Sequence, residues 1–136
     1  IILIYEEKFN VISECLEQLR DFSIIIVDNA NNVPRKEKIE KNFNIYKYFL
    51  NKNNLGFGKA VNKGIKSCAT DYLLILNPDC IITASSIKIL LEKLNEYKDC
   101  FMTTPTLFTN DNKITQNSSL FPESGVLKSS TFHIQR

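Results

Sequence analysis

Histidine occurs once in this chain of 136 residues, and none of its four cysteines stands in a C-x-x-C pair. Those shortages argue against a zinc site, which wants histidines and closely spaced thiols. Cys15, Cys68, Cys80 and Cys100 instead read as reduced, mostly buried thiols of a cytoplasmic protein. An excess of one charge is also lacking: 17 basic against 15 acidic residues leave +2. Nucleic acid requires a clustered basic face, so no nucleic-acid partner is expected. The run RKEKIEK at 35–41 alternates in sign and reads as a solvated helix surface. No apolar run approaches the roughly 18 residues of a transmembrane segment, and no signal peptide is visible. There is no internal repeat, low-complexity tract or linker.

What is present is an ordinary globular composition, 43% hydrophobic and 24% charged, in about one domain's length. Strand-like and helix-like runs alternate. IILIY at 1–5 reads as a strand buried on both faces. Val11, Ile12, Cys15, Leu16 and Leu19 recur at helical spacing, with Asn10 as N-cap. SIIIVDNANN is a second buried strand and a polar turn. Pro34 opens a charged helix with Ile39 and Phe43 inward. IYKYFL at 45–50 is a third strand. NKNNLGFGKAVNKGI passes through a polar loop into a helix with Ala60, Val61, Gly64, Ile65 and Cys68 as its packing face. YLLIL at 72–76 is a fourth strand. Ser85 or Ser86 caps a helix with Ile87, Leu90, Leu91, Leu94 and Tyr97 as its stripe. FMTTPTLF and KITQNSSLF flank TNDN, a β-hairpin signal.

This alternation predicts an α/β fold, a three-layer α/β/α sandwich around a mainly parallel sheet. In such folds ligands sit beyond the C-terminal strand ends, where strand order reverses. Polar groups cluster there: Tyr5 and Glu6, Asp28 and Asn29, the loop at 51–58, and Asn77 with Asp79. Asp28 suits a nucleobase imide or ribose hydroxyl, or equally an Asx-turn to its own backbone. Gly56 and Gly58 can bring backbone N–H groups close to a ligand while Lys59 neutralises a phosphate. Backbone geometry alone also explains them, and neither P-loop nor dinucleotide spacing is met. Asp79 could hold Mg²⁺ or Mn²⁺ against a diphosphate, with Asn77 adding an amide oxygen and Pro78 stiffening the turn. A plain Asn-Pro-Asp turn is the alternative.

Taken together, IILIYE, IIIVDNANN, NLGFGKAVNKGI, YLLILNPDC and TPTLFTNDNKI…LFP resemble family 2 glycosyltransferases of the GT-A fold, across nearly the whole chain. Within them they resemble the bacterial rhamnosyltransferase-like branch, in which Asn-Pro-Asp replaces Asp-x-Asp. The resemblance implies an inverting transferase, of hexosyltransferase type, that uses a nucleotide-diphospho-sugar, dTDP- or UDP-linked, and a glycan or lipid-linked acceptor for polysaccharide biosynthesis. It implies that Tyr5 packs on the base, Asp28 bonds its imide, Asp79 binds the metal and Asn77 takes the first acidic position. Val61 stands where the family often has Arg or Asn, and Lys59 lies one helical turn nearby to compensate. Glu6 stands where relatives commonly carry Asn.

The metal would stabilise charge on the departing diphosphate, and a general base would activate the acceptor. That base is an Asp or Glu downstream of the metal motif in this family, and none stands out before Arg136, Glu123 falling in a stretch without a regular period. The chain, opening on Ile and lacking a base, is therefore expected to be a single donor-binding domain over 1–136, truncated on its C-terminal side. Its expected location is cytoplasmic, peripheral at the inner membrane face. Two rival readings are a non-catalytic or truncated nucleotide-sugar-binding remnant, and a sugar nucleotidyltransferase. YEEKFN, acidic and without glycine, disfavours the second.

Overall fold

The computed structural model describes residues 1–115. Three of the apolar runs become parallel strands, β1 (Ile2–Ile4), β2 (Ile25–Asp28) and β3 (Lys47–Leu50), in the order β1-β2-β3. The register carries Ile4, Asp28 and Leu50 to one level at the C-terminal edge. Helices α1 (Phe9–Glu17) and α2 (Val33–Asn42) connect them, and α3 (Phe57–Ile65) follows β3.

The run at 72–76 does not form the expected strand. Its one ladder contact is a parallel bridge from Leu76 to Ile2. The Leu76 N–H donates to the Ile1 carbonyl at 3.0 Å, and the Ile1 amino group to the Leu74 carbonyl at 2.6 Å. Tyr72, Leu73 and Ile75 are exposed. Apolar content favours a strand, but a strand also needs a continuous partner ladder. The bridge still fixes its place, beside β1 on the side away from β2. Strand order therefore reverses between β1 and this segment.

Right-handed crossovers then put α1 and α2 on one face and α3 on the other. The packing agrees. Ile25 and Val27 cluster with Ala60 of α3, with Ile1, Leu3, Phe49 and Cys68 around them. Alternate strand residues point the other way: Ile2, Ile4, Ile26 and Asp28 face α1 and α2, whose Ile12, Leu16 and Ile39 are fully buried. This is the α/β layering expected of a GT-A fold.

One detail of helix entry differs from expectation and one agrees. α1 begins at Phe9 with Lys8 as N-cap, so Asn10 lies inside it. α2 is capped by the Asn32 side chain, with Pro34 in its first turn as expected. All four cysteines are free, but only Cys15 is buried and the rest are half-buried.

The chain divides into two compact units, Ile1–Thr83 and a second beginning at Ala84. In the second, α4 (Ala84–Glu96) already starts at Ala84, so Ser85 and Ser86 sit in its first turn instead of before it. Leu90 is buried, whereas Leu91 and Tyr97 are exposed. β4 (Leu107–Phe108) and β5 (Ile114–Thr115) pair antiparallel around TNDN as the expected hairpin, with Asn112 at φ 60° in the turn. Its first flank is shorter than the sequence suggested, only Leu107–Phe108 of 101–108 pairing. The rest of its second flank and Glu123 lie outside the described residues.

Candidate functional site

β2 ends on Asp28, and its side chain is 0% exposed. A carboxylate is costly there unless it is paired and hydrogen-bonded. Both oxygens are filled. Oδ1 accepts from the Ala30 N–H at 2.8 Å and from Arg35 Nη2 at 2.7 Å. Oδ2 accepts from the Tyr48 hydroxyl at 2.7 Å and from Arg35 Nε at 3.2 Å. The Arg35 contact is a bidentate fork; the Ala30 contact is the Asx-type turn that the sequence allowed. Burial first, then Asp28, push the Tyr48 hydroxyl's pKa up and keep it a donor.

Arg35 itself is 8% exposed, which overturns its reading as part of a solvated face. The Asn32 cap accepts from the Arg35 N–H at 3.0 Å. That places Arg35 in the first turn of α2, where the buried carboxylate draws its head inward. Arg35 Nη1 also donates to the Glu7 carbonyl at 3.3 Å and ties α2 to the loop after β1.

Asparagines fix the next loop. Asn29 Oδ1 accepts from Asn51 Nδ2 at 2.8 Å, and Asn29 Nδ2 donates to Asn54 Oδ1 at 3.1 Å. Asn54 Oδ1 accepts from the Gly56 N–H at 2.8 Å, and Lys63 Nζ donates to Asn51 Oδ1. The end of β2 thus holds the loop that starts α3. Gly56, the N-cap, has φ 73° and ψ 168°, a region essentially reserved for glycine. Lys59 is exposed in the first turn of α3, close to the helix's positive end. Val61 is 5% exposed and belongs to the packing of α3.

Asn77 and Asp79 follow the bridged segment and are exposed, with Pro78 buried between them. The Cys80 N–H donates to the Asn77 carbonyl at 3.1 Å and closes the turn. The Asp79 carboxylate is not locked into its own backbone; it accepts only from Cys80 Sγ at 3.8 Å among the described residues. Burial, then Asp79, push the Cys80 thiol's pKa up, so it remains a thiol. No group of three or more His, Cys, Asp or Glu able to hold a metal occurs among the described residues. An exposed carboxylate beside a neutral thiol would suit a hard cation better than a soft one, and only with further oxygens from a bound ligand.

Between these groups, Tyr5 is 40% exposed just past β1. It edges a cleft of about 460 Å³ that Glu6, Glu7, Phe9, Arg35 and Lys38 also line. Register brings Tyr5 and Asp28 to the C-terminal edge of the sheet, because Ile4 pairs with Asp28. Asn77 and Asp79 follow Leu76, which pairs with Ile2 at the start of β1, and Lys59 stands in the first turn of α3, which follows β3. Sequence reasoning missed Arg35, Tyr48 and the asparagine relay. The signal for Arg35 was its position three residues after a capping Asn, in reach of a strand-end Asp; alternating charge hid it.

A family model described as glycosyl transferase family 2 matches residues 1–135. No curated protein and no solved structure matches the chain.

Proposed function

The chain belongs to glycosyl transferase family 2, and from that premise we propose that it is a metal-assisted, inverting transferase of hexosyl type. In this reading its donor is a dTDP- or UDP-linked sugar, as in the rhamnosyltransferase-like branch, and its acceptor a glycan or lipid-linked glycan. It works in the cytoplasm, at the inner face of the membrane. Among the described residues no helix is long and apolar enough to cross a membrane.

One observation carries this reading. Asp79 follows the segment that bridges to β1 on the side away from β2, at the point where strand order reverses. Such crevices at the C-terminal strand ends are where α/β sheets take nucleotides. Tyr5 supplies a ring for the base, and the buried Asp28 supports the nucleotide site from beneath. Lys59 and the N-terminus of α3 favour phosphate. Asn77 offers an amide to a sugar hydroxyl. Asp79 would hold Mg²⁺ or Mn²⁺, which supplies charge stabilisation to the departing diphosphate.

Calorimetry tests it. UDP or dTDP should bind in the presence of Mn²⁺, and Asp79→Ala should weaken binding at least about ten-fold, the scale of losing a metal contact. No heat from either nucleotide with Mn²⁺ would sink the reading.

A further inference from the structure

The filled state of Asp28 raises the question of what reads the base. The carboxylate is wholly enclosed, and each of its oxygens already takes two donors. Arg35 is different. It lines the cleft beside Tyr5, although only 8% of it is exposed. Its hydrogen bonds go to Asp28 through Nε and Nη2 and to the Glu7 carbonyl through Nη1. A guanidinium carries more N–H donors than those contacts use. We propose that Arg35, clamped by Asp28 and the Glu7 carbonyl, is the residue that determines base specificity, donating a remaining N–H to the O4 carbonyl of the nucleobase. This rests on the nucleotide-sugar reading above.

Charge decides what the cleft accepts. Arg35 is neutralised by Asp28 at 2.7 Å. Of the other charged lining groups, Glu6 and Glu7 are acidic and Lys38 is basic. The cleft is therefore a poor place for phosphate and a good one for an uncharged ring with acceptor oxygens. Lys38 is also partly engaged, its Nζ lying 3.9 Å from the centre of the Phe9 ring. Tyr5 can stack on such a ring. A carbonyl opposite Arg35 gains a hydrogen bond. An exocyclic amine there, as in cytosine, meets donor with donor and leaves that one N–H without an acceptor, the arrangement that discriminates most sharply. The ligand class is thus a uracil- or thymine-type base over cytosine.

Competition binding with UDP, CDP and inorganic pyrophosphate, all with Mn²⁺, tests this on the chain as it stands. UDP should bind at least about ten-fold tighter than CDP, the scale of one such pair. Arg35→Lys should bring the UDP:CDP ratio close to one and leave pyrophosphate binding unchanged. If that variant does not fold, the neutral pair Asp28→Asn with Arg35→Gln replaces it, with the same collapse expected. Equal binding of UDP and CDP to the unaltered protein, or a ratio that survives either variant, overturns the inference and leaves the metal–diphosphate reading standing. Binding of none of the three overturns both.

Discussion

Removing one support from Asp28 leaves a carboxylate short of donors where water does not reach it. Tyr48→Phe deletes the hydroxyl bonded at 2.7 Å but keeps the ring and the ion pair. It should cost about 1–3 kcal/mol, the scale of one missing bond to a buried group. Arg35→Met removes the counter-charge itself and should cost about 3–5 kcal/mol. Urea unfolding of both variants checks the order; equal losses would mean that the pair does not dominate the cluster. Cys15 adds a pH dependence. Burial first, then Cys80 and Asp79, push its thiol from 9.0 to about 11. The folded chain keeps that proton where the unfolded chain releases it, so its stabilising share is whole below pH 9 and is lost as pH climbs towards 11. Melting temperature should fall across that window, and less steeply in Cys15→Ala. An unchanged slope would assign the alkaline loss to other groups, Tyr48 first among them.

At the scale of elements, the loop into α3 offers two glycines with opposite expected outcomes. Gly56 sits at φ 73° and ψ 168°, so Gly56→Ala should destabilise by about 1–3 kcal/mol through backbone strain. Gly58 lies inside α3, and a Cβ there would meet nothing within 4 Å. Gly58→Ala should stabilise by up to about 1 kcal/mol through helix propensity. Thermal melts of the two variants should move in opposite directions, and a shared direction would contradict the geometry. Both glycines look alike in NLGFGK; their backbone angles separate them. The same holds more widely. β1 and β2 were legible because buried parallel strands leave continuous apolar runs, and β3, exposed at Lys47 and half-buried beyond it, because its aromatic residues favour a strand. The run at 72–76 had a similarly apolar composition but acquired only the Leu76 bridge, because pairing depends on two segments and periodicity on one. Arg35 was misread for a related reason: its burial depends on Asp28, seven positions earlier, and on no local pattern.

For the whole molecule, the binding reading separates two quantities that single mutations often mix. Asp79 follows the segment whose Leu76 bridges to β1 on the side away from β2, and its own contacts contribute little to the fold. It is exposed, and its one partner among the described residues is a thiol at 3.8 Å. Asp79→Ala should therefore leave the melting temperature of the free protein almost unchanged. A ligand that binds only the folded state adds about 2.7 kcal/mol of stability at a hundred times its Kd. UDP with Mn²⁺ should raise the melting temperature of the unaltered protein by several degrees, with neither component alone sufficing, because the cation needs the diphosphate's oxygens and the diphosphate needs the cation's charge. In Asp79→Ala that rise should vanish while the baseline stays. A baseline that drops instead would make Asp79 a structural residue of the turn, and a rise that persists would move the cation elsewhere along the sheet edge.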